Sequence, residues 1–267
     1  PDEGEIIMPD FWTHLIAGEE IKAGIKDDQL SSLLARNDRL FNFACQGADP
    51  FFYNDFWPWI KNKSGPQKGD LIHSLSGKKL FAPVLTTFKK EGAYSKNKLA
   101  ESKFWQYNLV YLLGFISHYA LDRECHPYII QNGGQGEKHK LIEASLDIYI
   151  MQQQWSKKPE DINPLAYYEL KETYKENLNY FYQLLFNDFL KRDSFYYFKD
   201  LFQVINFYGV QRAYKIREFH FFTWEMLVLY YSVGFFIREL LDKYITNFSN
   251  IYAKKPINVF YGGNLNL

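Results

Sequence analysis

The stretch from Phe104 to His126, FWQYNLVYLLGFISHYALDRECH, decides the fold class of this chain. From Phe104 to Leu121 it carries no charged residue and approaches membrane-spanning length. Yet Gln106, Asn108, Ser117 and His118 interrupt the apolar run, and Asp122 and Arg123 follow at once. Polar groups of that kind find partners inside a protein and none in lipid. A buried core helix therefore explains the stretch better than a transmembrane one.

Outward from this segment the apolar residues keep the helical period, and no period-two pattern persists. Helices are expected over about 10–25, 28–45, 70–90, 98–122, 137–154, 164–190, 195–208 and 218–247. The segment Gln46-Gly47-Ala48-Asp49-Pro50 ends the second, because a pre-proline residue disfavours helix. Residues 54–69 and the Gly-rich run 132–136 read as loops. The fold class is all-α, and residues 1–267 form a single domain. It divides into a metal-binding half over about 8–155 and an aromatic-rich helical half over about 156–267 with no assigned role.

Lys plus Arg and Asp plus Glu both number 31, so no global field favours nucleic acid. The 21 Tyr and 24 Phe reflect either an aromatic-biased composition or an aromatic pocket or membrane-touching surface. Cys45 and Cys125, the two cysteines, are weak grounds for an oxidising compartment, although they could pair. The opening PDEGEII has the wrong character for a secretory signal, and Met8-Pro9 reads as a native start. The expected compartment is the cytoplasm, or the exterior if an upstream signal has been removed.

Six histidines occur, and four of them sit beside an acid four residues away. His118-Tyr-Ala-Leu-Asp122-Arg-Glu-Cys-His126 places His, Asp and His at steps of four. His139-Lys-Leu-Ile-Glu143 repeats the step, with Asp147 one turn further, and Asp10-Phe-Trp-Thr-His14 repeats it again. Residues four apart share a helix face, so each pair can converge on one ion. Surface ion pairs use the same spacing, but His118 lies inside an apolar helix, where an unpartnered polar pair is costly. Pro127 signals loosening at His126, whose ring would then serve a neighbouring ion. Neutral imidazole and carboxylate suit zinc. His220 reads as an ordinary hydrogen-bonded histidine.

In their order, Thr13-His14, Gly47-Ala48-Asp49-Pro50, His73, His118-x-x-x-Asp122, His126-Pro127 and His139-x-x-x-Glu143 resemble the zinc-dependent phospholipase C family. These are bacterial enzymes with an all-helical fold, and the resemblance covers roughly the first 150 residues. It implies a multi-helix bundle with a cluster of up to three zinc ions in a cleft between helices. Asp49, His73 and His118 would hold one ion, with Asp122 bridging to a second that binds His14. His126, His139 and Glu143 would hold the third. Secreted members complete their site with a processed first residue, which this chain does not match. Asp10, one turn before His14, would substitute for it, and Asp10→Ala should then lose one metal by elemental analysis. The Asp122-to-His126 spacing is closer to the broader branch of the family.

The function implied is a metal-dependent phosphodiester hydrolase, in which activated water attacks the phosphorus of a phospholipid. Such cations lower the pKa of a bound water toward ~7. Asp49 is either a ligand or the general base, and Glu124 and Asp147 are either partners orienting ligand imidazoles or solvated helix residues. Phe51 and Tyr53, with Phe52, Phe56 and Trp57, either line the cleft, meet a lipid surface or pack in the core. The Gly-rich run before His139 either borders the cleft or merely connects helices. The expected partner is a phospholipid or other phosphodiester, with transient contact to a membrane surface. A nuclease or other phosphoesterase on the same scaffold is the alternative. A non-catalytic metal-binding protein is the third reading.

Overall fold

The computed structural model describes residues 11–55, 60, 63–133, 137–157, 162–163, 166–168, 170–186, 193–198 and 201. Among these there is no strand, and the fold is all-α. The helices are α1 Phe11–Gly24, α2 Asp28–Arg36, α3 Asp38–Ala44, α4 Gly65–His73 and α5 Gly77–Lys90, then α6 Lys96–Glu101, α7 Lys103–Gly133, α8 Glu137–Trp155 and α9 Lys175–Leu185. A 3-10 turn, Asp49–Tyr53, lies between α3 and α4. Asp10, Phe56, Trp57 and the helices expected over 202–208 and 218–247 lie outside the described residues.

Three expected helices are broken where a side chain competes for the backbone. The run over 28–45 splits at Asn37, whose Nδ2 donates to Leu33 O at 2.9 Å and whose backbone leaves the helical region at ψ 31°. The run over 70–90 splits around Ser76, whose hydroxyl accepts from Lys79 N at 3.5 Å in an extended N-cap. Ser102, extended at φ −125° and ψ 107°, separates α6 from α7. Residues 65–69, expected as loop, instead open α4, with Pro66 in its first turn, where a missing N–H costs nothing. The expected loosening at His126 does not occur: α7 runs 31 residues, through Pro127, to Gly133.

Helix α7 is the axis of the fold, and α1, α2, α3, α6, α8 and α9 all pack on it. Its Val110, Tyr111, Leu112 and Phe115 are buried with Trp12 and Leu15 of α1, Phe41 and Phe43 of α3, and Phe181 of α9. Each fully buried side chain of this size contributes about 1.5–3 kcal/mol. The α3 contact is close enough to require glycine: a Cβ on Gly114 would stand 2.5 Å from Ala44 Cβ and 2.7 Å from Phe41 O. Some polar groups in this core pair with one another. Tyr111 and Tyr182 pair through their hydroxyls at 2.8 Å, and Asn177 Nδ2 donates to Phe104 O at 2.8 Å. Cys45 and Cys125 are both free thiols, and burial pushes the Cys45 thiol up to about 12. No helix among the described residues is long and apolar enough to cross a membrane.

Candidate metal centre

Four helices and the 3-10 turn bring eight of the nine expected ligands together. His14 comes from the first turns of α1, Asp49 opens the 3-10 turn, and His73 closes α4. His118, Asp122 and His126 follow one another along a face of α7, and His139 and Glu143 face them from α8. Three groups of ligand atoms result, each within 4.8 Å of one another: His14, Asp49, His118; His73, His118, Asp122; and His126, His139, Glu143. These three groups could each hold a metal ion. Asp10, the ninth expected ligand, lies outside the described residues.

The first two groups share His118. His73 Nε2 and His118 Nε2 lie 3.3 Å apart. Asp49 Oδ1 is 3.5 Å from each of them, and Asp122 Oδ2 is 3.6 and 3.3 Å away respectively. Each of these five separations suits a pair of donors on one cation. Donors held about 2.0–2.1 Å from a tetrahedral cation stand about 3.3–3.4 Å apart. Asp122 turns its other oxygen, Oδ1, to His14 Nε2 at 3.2 Å. One carboxylate thus faces two adjoining sets of donors. In the third group, Glu143 Oε1 lies 3.0 Å from His139 Nε2 and 3.9 Å from His126 Nε2.

Hydrogen bonds aim the rings. His73 Nδ1 donates to Gly69 O at 2.7 Å and His126 Nδ1 donates to Asp122 O at 2.9 Å. A carbonyl can only accept, so in each neutral ring the proton is on Nδ1 and the Nε2 lone pair points into the cluster. Inside, polar atoms are left over. Among the described residues, Asp122 Oδ2, Asp49 Oδ1 and His14 Nδ1 have no hydrogen-bond partner. A buried carboxylate in that state is costly unless a cation answers it. The residues therefore fit a divalent ion.

The electrostatics say the same. Burial opposes charging Asp122, but His118, His14 and His73 around it hold its carboxyl well below the usual range. Burial lowers His14 and His73, yet the facing carboxylates outweigh it, and both end above the ordinary histidine value. His118 goes the other way, down to about 4, since burial and its two histidine neighbours outweigh Asp122 and Asp49. It stays neutral at physiological pH, with a lone pair to give.

The aromatic expectations divide. Phe51, expected at the substrate, is instead fully buried against Tyr182, Tyr197 and Phe198, because the 3-10 turn points it inward. Tyr53 is half-buried and packs on the core edge. Phe52 is the ring beside the centre, 5.6 Å from the His73 imidazole. Glu124 is exposed. Asp147 binds the start of the described part of α1. Sequence reasoning also missed why position 47 is glycine. Its φ is +52°, and its backbone lies against the His118 ring.

No protein-family model matches this chain, and no curated protein or solved structure matches it. A functional reading therefore rests on the donor atoms themselves.

Proposed function

We propose that this protein is a zinc-dependent phosphodiester hydrolase of the phospholipase C type, acting on a phospholipid. The observation that carries the reading is Asp122, one of whose oxygens faces His73 and His118 while the other faces His14. Paired cations sharing a carboxylate suit a phosphodiester, whose charge lies on adjacent oxygens. Zinc is favoured among divalent ions by the imidazole-rich donor set. When bound, zinc supplies positive charge toward the phosphoryl oxygens and a water of lowered pKa.

The chain's own residues supply the rest. His14, His73, His118, Asp122 and Asp49 hold the paired ions, and His126, His139 and Glu143 hold the third. Asp49 is also the proton acceptor for the attacking water. Its side chain is 14% exposed, against 9% for Asp122 and 3% for Glu143, so it is the carboxylate closest to solvent. Phe52 lends an aromatic face at the His73 edge, where a cationic head group would rest. The balance of 31 basic and 31 acidic residues supports a lipid over a polyanion.

The test sets zinc-loaded protein against phosphatidylcholine vesicles, single-stranded DNA and a chromogenic phosphodiester. Release of phosphorylated head group from the vesicles is expected, with Asp49→Asn greatly reduced. Cleavage of DNA with inert vesicles would replace the reading with a nuclease. Bound zinc with no turnover of any of the three would leave a non-catalytic metal-binding protein.

A further inference from the structure

The ligand histidines are not all oriented in the same way. His73 and His126 each donate a hydrogen bond to a backbone carbonyl, and His139 lies 3.0 Å from Glu143. His14 Nε2 faces the carboxylate of Asp122 at 3.2 Å, but the other side of its ring has no such device. Its Nδ1 has no hydrogen-bond partner among the described residues, although the residue is 1% exposed. Its ring rests on the His118 ring at 4.2 Å, and its aim is otherwise set by where the backbone of α1 sits.

That backbone is held from far along the chain. The described part of α1 begins at Phe11, and the Trp12 and Thr13 amides turn to one carboxylate. Asp147 of α8 accepts from Trp12 N at 2.7 Å and from Thr13 N at 2.9 Å, and also from the Thr13 hydroxyl. Asp147 is fully buried. A buried carboxylate at a helix N-terminus combines charge-assisted hydrogen bonds with the favourable end of the helix dipole. Three donors on one carboxylate fix both the rotation and the height of α1 against α8. Asp147 also lies one turn beyond Glu143 and two beyond His139. The helix that carries the third donor group is therefore the frame that places His14.

We propose that Asp147 is a positioning residue of the metal centre, acting through Thr13 and the α1 backbone to aim His14 at the ion shared with Asp122. The proposal rests on the metal-centre reading above and is independent of the substrate.

Cobalt(II) serves as the probe, titrated into the chelator-treated full chain and followed by ion stoichiometry and the visible absorption of the bound ion. Asp147→Asn, which replaces one acceptor oxygen with a donor, should weaken one ion by about 10–100-fold, the usual effect of losing an outer-shell partner. The absorption of that ion should change, and the others should load as in wild type. Thr13→Val should weaken the same ion, and Thr13→Ser, which keeps the hydroxyl, should restore it. A merely structural contact would lower the melting temperature and leave affinity, stoichiometry and spectrum unchanged; that result overturns the proposal. If Asp147→Asn does not fold, the contrast of Thr13→Val with Thr13→Ser decides. Wild-type protein that binds no cobalt would overturn the metal-centre reading itself, a result distinct from equal binding by wild type and variants.

Discussion

Gly47 packs its backbone directly on the imidazole of His118. A Cβ at position 47 would overlap the ring carbons and stand 2.6 Å from Nε2. The φ of +52° adds strain for any other residue, about 1–2 kcal/mol. Gly47 therefore acts as the back wall of the ligand set. Gly47→Ala should push His118 away from His73 and Asp122, removing the ion those residues would share while the ion at His139 remains. Elemental analysis after dialysis, together with thermal melting, checks both parts. Full retention of metal would show that the ring has room to move.

The third donor group shares no residue with the other two. His139→Ala should accordingly lower the bound metal by a single ion and leave the paired ions at near wild-type affinity. A stepwise chelator titration separates the two cases, since loss of all ions from this variant would reveal an obligatory order of loading.

Protons and metal compete for the same nitrogens. The facing carboxylates raise His14 and His73 against the opposing effect of burial, so both hold protons in the metal-free protein to higher pH than a free histidine. Metal affinity should fall as pH falls through those raised values, and each of these two rings should release a proton on binding. His118, down at about 4, should release none near neutrality. Calorimetric titration in buffers of different ionisation enthalpy counts the protons. The same two rings contribute stability to the metal-free fold that is fully present below 6.5, the ordinary histidine value, and lost as pH rises through their raised values. Over the same rise, the stabilisation brought by zinc, measured as a shift in Tm, should therefore grow.

Between α7 and α9, the Tyr111 and Tyr182 hydroxyls meet at 2.8 Å in the buried core. Tyr111→Phe removes one partner of a buried polar pair and should cost about 1–3 kcal/mol. The double change, with Tyr182→Phe, should cost less than the two single changes added together, because it removes both polar groups at once. Denaturant unfolding of the three variants measures the coupling, and strict additivity would rule it out.

What could be read without coordinates was local. The helical period of the apolar residues identified an all-α chain, and the steps of four placed His118 with Asp122 and His139 with Glu143 on common faces. Each such pattern is written within one or two turns. The breaks at Asn37, Ser76 and Ser102 were missed because a capping side chain competes with a period that continues past it.

Tertiary structure alone decided the rest. Phe51 and Phe52 are chemically the same residue, yet the 3-10 turn sends one into the core and sets the other beside His73. Asp147 carries a visible spacing from Glu143, but its partners, Trp12 and Thr13, lie 135 and 134 residues away. The donors around His118 come from α4, α7 and the 3-10 turn, and His14 joins them from α1. Helix periodicity is set by contacts along the chain and survives in the sequence. The spacing of donors around an ion is set by how those helices pack, and no short stretch records it.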